Sequence, residues 1–195
     1  MKALPLLAAA LFAVSAQAQT VVFSDNFEGN ALGLSTTPAG WTITNGGTVD
    51  VLGASLYPEL CLGSGTCIDL DGSTSLAGAL THSIALTAGV TYTLSFDIAG
   101  NRRNAGVEAV TATFGSASMN FNLTNDSPTA AYQTMTLDFT PTTSGVYSLS
   151  FLNAGGDQRG PILDNVLVTA VPEPASAALL LLGLGGAALL KRRRS

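Results

Sequence analysis

Polar and apolar residues alternate along most of the chain. In Thr91–Ile98, Tyr92, Leu94, Phe96 and Ile98 fall on one face and Thr91, Thr93, Ser95 and Asp97 on the other. This is the period of two that a half-buried β-strand requires. Thr134–Thr140 repeats the pattern with Met135, Leu137 and Phe139 inward, and Tyr147–Phe151 does so again. Shorter runs, set apart by Gly, Asn, Pro and Thr, predict strands at Val21–Phe27, Trp41–Asn45, Thr48–Leu52, Cys67–Leu70, His82–Leu86, Ala109–Phe114, Ser118–Leu123 and Ile162–Thr169. No helical period of useful length interrupts them. The fold class expected is all-β: an antiparallel β-sandwich, or jelly roll, whose sheets each keep one wet face.

The two ends depart from this pattern. Met1-Lys2, the apolar run Ala3–Val14 and Ser15-Ala16-Gln17-Ala18 form a secretory signal peptide over residues 1–18, cut after Ala18. At the other end Pro172-Glu173-Pro174 precedes sixteen uncharged residues, Ala175–Leu190, and then Lys191, Arg192, Arg193 and Arg194. As a helix, such a run rises ~24 Å, short of a ~30 Å hydrocarbon core, and flanking Lys and Arg can snorkel across the difference. The basic cluster belongs on the cytoplasmic side and Pro-Glu-Pro on the exported side. This tripartite tail resembles the PEP-CTERM sorting signal of Gram-negative bacteria. The resemblance implies recognition and processing by an exosortase, and a transient transmembrane helix over residues 175–190 in the inner membrane. It implies delivery to the cell surface or beyond, in bacteria that make exopolysaccharide and biofilm. The expected organisation is therefore signal peptide 1–18, β-sandwich 19–171 and sorting segment 172–195.

Composition narrows the chemistry. Charged residues make up 11% of the chain, against ~25% in an average soluble protein. Between Gln19 and Val171 stand three arginines and no lysine against twelve acids, a net of −9. Such a surface excludes a nucleic-acid partner. One histidine and two cysteines argue against zinc enzymes and His-dependent nucleophiles. Cys61 and Cys67 enclose a Gly-Ser-Gly loop, and an even pair at short spacing in an exported protein reads as a disulfide, with two free thiols as the alternative.

Asn26-Phe27-Glu28-Gly29, Gly40-Trp41, Ile68-Asp69-Leu70-Asp71-Gly72, Tyr92–Phe96 and the closing Gly160-Pro161-Ile162-Leu163-Asp164-Asn165-Val166 occur in that order. The order is similar to the galactose-binding-like jelly rolls, the group that holds many carbohydrate-binding modules. In that group the first and last strands are neighbours and a structural calcium is often held between them. Carried over, the resemblance implies calcium on Glu28 and Asp164, with Asp25 as an addition. On their own, Glu28 also reads as a solvated turn residue and Asp164 as a turn-bonding aspartate.

Asp69 and Asp71 share a strand face, as a glycosidase pair would, but Asp71-Gly72 marks a strand ending in a turn. His82 reads as a strand surface residue. Arg102 and Arg103 follow the strongest predicted strand, in a loop where they could clamp an acidic sugar or simply offset nearby acids. Trp41 heads a strand and belongs in the core, whereas Tyr57 and Tyr132, beside turns, are the better sugar platforms. The function expected is a non-enzymatic surface or matrix protein contacting exopolysaccharide, with a small secreted glycan-active enzyme as the alternative.

Overall fold

All eleven predicted strands form. The computed structural model describes residues 19–171 apart from 64, 75, 104, 105, 125 and 126. The signal peptide and sorting segment, including the predicted transmembrane helix, lie outside the described residues. Among the described residues no helix is long and apolar enough to cross a membrane.

The strands are β1 (Thr20–Asp25), β2 (Thr42–Ile43), β3 (Asp50–Leu52), β4 (Cys67–Asp69), β5 (Leu80–Leu86), β6 (Tyr92–Ala99), β7 (Glu108–Phe114), β8 (Ala117–Leu123), β9 (Gln133–Phe139), β10 (Gly145–Asn153) and β11 (Ile162–Ala170). One 3-10 turn, Pro58–Leu60, joins β3 to β4. A five-stranded sheet runs β2-β5-β10-β7-β8, and a six-stranded sheet runs β3-β4-β11-β6-β9 with β1 also on β11. Every ladder between these strands is antiparallel.

Alternation decides which atoms meet between the sheets. Leu94, Phe96 and Ile98 of β6, Val110, Ala112 and Phe114 of β7, and Leu149 and Phe151 of β10 are buried in one core. Phe96 meets Phe151 edge-on, with ring centroids 4.8 Å apart, a favoured aromatic geometry. Trp41 is buried, as expected, and its Nε1 donates to Asp25 Oδ2 at 2.8 Å. His82 is more engaged than its surroundings suggested: it stacks on Phe23 at 4.0 Å, and its Nδ1 lies 2.8 Å from the Gly40 carbonyl oxygen.

β1 stops two residues earlier than its apolar pattern predicts. Asp25 Oδ1 accepts the Phe27 N–H at 2.7 Å, and Phe27 itself turns to φ 59°. An aspartate capping the amide two residues on diverts the chain from the ladder into a turn.

Cys61 and Cys67 are joined by a disulfide with Cα atoms 5.4 Å apart. Together with Leu52, Leu60 and Ile162 they form a second, smaller core cluster. Closing a seven-residue loop contributes ~2.4 kcal/mol by the chain-entropy argument. Replacing both cysteines with serine should therefore lower Tm by roughly 5–10 °C, at ~2–4 °C per kcal/mol. Calorimetry of residues 19–171 checks this, and an unchanged Tm would show that the loop is already ordered without the bond.

Candidate functional site

The pairings give the sandwich two unlike ends. At one end, the tail end, lie the start of β1, the end of β11 and the connections between β5 and β6, β7 and β8, and β9 and β10. At the other end lie the longer connections, and with them most of the charge. Among the described residues, the non-glycine positions with positive φ (Phe27, Ser35, Tyr57, Arg102, Gln158 and Asn165) all belong to these longer connections or to the adjoining part of β11. Left-handed backbone at ordinary residues costs energy and concentrates where a structure over-determines it, often at functional sites.

Two aspartates organise this loop end. Asp69 and Asp71 are fully buried. Asp71 Oδ2 accepts the N–H groups of Gly156, Asp157 and Arg159 at 3.1, 3.1 and 3.3 Å, and its Oδ1 accepts Gly156 at 3.0 Å. Asp69 Oδ1 accepts the N–H of Asp71 at 3.0 Å and of Gly160 at 2.8 Å, while its Oδ2 pairs with the Arg103 guanidinium. The pair thus folds the β10–β11 connection down onto the end of β4. Burial pushes the Asp69 carboxyl up to about 7, against the lowering effects of Arg103 and the Asp71 N–H. Desolvation outweighs the ion pair here. With their oxygens committed in this way, the two carboxylates act as backbone anchors, in keeping with the strand-to-turn reading. The close approach of Gly160 is also fixed: a Cβ there would stand 2.2 Å from the Asp71 nitrogen.

Arg102 and Arg103, adjacent in sequence, part company. Arg102 takes φ 54° and turns inward over the Tyr132 ring, 5.7 Å from its centroid. Its guanidinium donates to the carbonyls of Pro128 and Leu60, and the Tyr132 hydroxyl also donates to Leu60 O, at 3.1 Å. Burial raises the Tyr132 pKa. These two residues therefore serve as a brace between loops. Arg103 donates to Gln158 O at 3.2 Å and lines a cavity of about 370 Å³ with Tyr57, Gln158, Arg159, Ser73 and Asp50. Tyr57 is 50% exposed. The sequence offered Arg103 and Tyr57 separately; it gave no sign of Arg159, which the Asp71-held loop delivers.

Glu28, Asp25 and Asp164 come to one neighbourhood for a reason visible in the register. β11 pairs with β4 through Ile162 and Leu163 and with β1 from Val166 onward. Asp164 and Asn165 fall between the two partners, at a bulge against β6, and Asn165 has φ 49°. Glu28, in the turn after β1, accepts the Thr66 N–H on Oε1 at 2.9 Å, just ahead of β4. Asp164 Oδ1 accepts the Asn165 N–H at 2.7 Å. Burial, then the negative charges of Glu28, Asp97 and Asp25, push the Asp164 carboxyl up to about 6 despite that bond. Among the described residues, no group of three or more His, Cys, Asp and Glu side chains gathers as a metal site.

A second concavity, of about 560 Å³, lies on the outer face of the five-stranded sheet between Thr111, Asn120, Asn122 and Leu152. Its rim is hydroxyl and amide; Thr111 Oγ1 donates to Asn120 Oδ1 at 2.7 Å.

β11 ends at Ala170, paired with Thr20, and the Val171 N–H donates to Thr91 O at 2.8 Å. Here the described residues end and the sorting segment starts. Residues 170–194 match the PEP-CTERM protein-sorting motif. The chain carries that motif. It implies exosortase-dependent export through a membrane-anchored intermediate to the cell surface. No curated protein sequence matches the chain. Among solved structures, the CBM22-1 xylan-binding domain of Paenibacillus barcinonensis Xyn10C aligns at 15% identity over 82% of this chain and 99% of that one, with a TM-score of 0.55. The Stig cyclase Fisc from Fischerella sp. TAU aligns at 15% identity over 80% and 99%, with a TM-score of 0.58. Both likenesses are of fold, and they establish the jelly roll that the alternation predicted.

The anchoring role of Asp71 gives a direct test. Asp71→Ala leaves the part-buried N–H groups of Gly156 and Asp157 without this acceptor, at ~1–3 kcal/mol each if water does not replace it, whereas the Arg159 N–H keeps Asp157 Oδ1 at 3.1 Å. Amide exchange at Gly156 and Asp157 should accelerate at least about tenfold, with a smaller rise at Arg159, while β6 and β10 stay protected. Unchanged exchange in that loop would show that it holds itself.

Proposed function

We propose that this is a non-enzymatic cell-surface or matrix protein, sorted by an exosortase through its PEP-CTERM tail, whose sandwich contacts exopolysaccharide at the loop-end cavity. One observation carries the reading: an exposed tyrosine in a left-handed turn and two arginines line a single concavity. The tyrosine ring offers an apolar face to a sugar ring, and guanidinium groups offer paired donors to carboxylate-bearing sugars. The ligand class that fits best is therefore an acidic glycan. A xylan-binding domain among the structural relatives is consistent with a glycan partner without naming it. The non-enzymatic reading draws support from Asp69 and Asp71, the paired carboxylates of the sequence, whose oxygens are committed to backbone N–H groups and Arg103.

In affinity electrophoresis through the producing organism's exopolysaccharide, residues 19–171 should be retarded without shortening the polymer. Tyr57→Ala and Arg159→Ala should each weaken retention ~3–10-fold, the equivalent of ~0.5–1.5 kcal/mol. Shortening of the polymer would favour the glycan-active enzyme. Unretarded migration would sink the binding reading.

We further propose that Glu28 and Asp164 hold a structural calcium ion. The donor set fits: hard carboxylate oxygens, in a neighbourhood where like charge and burial already raise Asp164. A bound divalent cation supplies the positive charge that relieves this repulsion, joining the turn after β1 to the bulge of β11. At a hundred times Kd, calcium adds ~2.7 kcal/mol, a Tm rise of roughly 5–11 °C.

The pH dependence has a definite sign. An acid whose folded pKa is raised holds its proton longer in the folded state. In chelator, stability should therefore fall as pH rises from about 4, the ordinary aspartate value, towards 6. Calcium should offset the share of the fall that Asp164 contributes, and Asp164→Asn should make the fall shallower without abolishing it, because Asp69 and Glu108 are raised as well. Tm values insensitive to both calcium and this substitution would return Glu28 and Asp164 to ordinary turn residues.

A further inference from the structure

The tail end is unlike the rest of the surface. Its connections are 87–91, 115–116 and 140–144, with Gln19–Val21 and Ala170–Val171 beside them, and none of these residues is charged. They are Thr, Ser, Gly, Ala, Pro and Val, with Gln19 the sole amide. Of the described charged residues in strands, only Asp138, on β9, lies in the half nearest this end. The surface is also well tied. Ala88 N–H donates to Ser144 Oγ at 2.9 Å, Gly89 N–H to Pro141 O at 2.9 Å, and the Thr91 and Thr140 hydroxyls meet at 2.8 Å. Positive φ here falls on glycine, at Gly89 and Gly115. The exposed valines Val21 and Val146, at 58% and 73%, stand at this end.

Chain length fixes what this surface must face. Four residues, 171–174, separate β11 from the apolar run that begins at Ala175. Fully extended, they span at most ~14 Å. The polar layer of a bilayer is itself ~5–8 Å deep on each side. With the run in the membrane, the end of the sandwich is held at the headgroups or within a few ångströms of them. Thr20 pairs with Ala170, so an uncleaved signal segment leaves the sandwich at this same end. The nine residues of β11 at ~3.3 Å each place the acidic end about 30 Å farther out, several Debye lengths of ~8–10 Å at physiological salt. A domain of net −9 brought to an anionic surface in any other orientation would meet repulsion and would press charged groups against a layer where their desolvation is costly.

We propose that the charge-free end is a membrane-seating surface. While the tail is inserted, the 87–91 and 140–144 connections rest on the headgroup layer of the phospholipid bilayer, and the loop-end cavity points away from it. This rests on the sorting-motif reading, because it needs residues 175–190 in the membrane.

The test uses the full-length, unprocessed chain in vesicles of phosphatidylethanolamine and phosphatidylglycerol. Because Cys61 and Cys67 are bonded to each other, Thr142→Cys and Ser127→Cys each add one free thiol for a fluorophore, at the tail end and the loop end respectively. Headgroup-attached nitroxide should quench the label at position 142 at least about threefold more than at 127, given the ~30 Å between the ends. Inserting twelve Gly and Ser residues after Val171 should remove the difference. Equal quenching on a chain that still floats with the vesicles overturns the seating surface alone. Shielding of position 142 that needs co-reconstituted exosortase also overturns it, in favour of an enzyme contact. A chain that does not float overturns the anchoring reading and the seating surface with it.

Discussion

The structure depends on where β11 lies. It pairs with β6 along one side and, on the other, with β4 and then β1. Four strands distant in sequence become one sheet through this single strand. Its buried residues, Leu163, Val166 and Val168, complete the core from the last part of the domain. The change of partner from β4 to β1 has a chemical consequence. It leaves a short gap at Asp164 and Asn165, within electrostatic reach of Glu28 in the turn after β1. The charges of Glu28, Asp97 and Asp25 reach Asp164 there, where β11 changes partner from β4 to β1. The acidic neighbourhood is thus a by-product of topology, and the proposed calcium ion would relieve it.

The two ends of the sandwich follow opposite rules. At the loop end, buried carboxylates hold backbone amides, ordinary residues accept left-handed conformations, and long connections enclose concave surface. At the tail end, short connections close with glycine and hydroxyls, and charge is missing. Strand propensity supports the contrast: Thr and Ser satisfy β-structure on wet faces without charge, so a chain with 11% charged residues can confine most of them to one end. Specific recognition needs fixed polar groups, whereas seating on a soft, disordered headgroup layer needs only the lack of penalties.

Much of the fold was legible because a period of two is a local property. Each strand needs only its own residues to declare an inner and an outer face, so Thr91–Ile98 and Tyr147–Phe151 stood out unaided. Strand ends were less legible: the apolar run of β1 continues to Phe27, but the Asp25 side chain ends it. The site was only partly legible, since its residues are assembled by contacts dozens of positions apart. Arg102 and Arg103 read as one feature in sequence, and a left-handed Arg102 splits them into a brace and a cavity wall. Arg159 carried no sequence mark: its N–H is shared between Asp157, two positions away, and Asp71, 88 positions away, and only the second tie sets it beside the cavity. Asp69 and Asp71 looked like the end of a strand, which they are. Their complete burial came from the returning β10–β11 connection, and no local pattern encodes that return.

That network also governs how substitutions at the cavity must be interpreted. Arg103 faces the cavity and pairs with Asp69, which is itself buried. Removing the guanidinium would strand a carboxylate already raised by burial, and the buried acid would take up a proton or draw in water. The Gly160 and Asp71 amides that rely on it would shift as well. A loss of binding in Arg103→Ala thus mixes lost ligand contact with a displaced loop, and the two are not additive. Tyr57 and Arg159 differ. Both are exposed, and Arg159 is held by its backbone N–H, leaving its guanidinium to vary without disturbing the Asp71 anchor. The side chains that report on the cavity are those whose removal leaves the two buried aspartates satisfied.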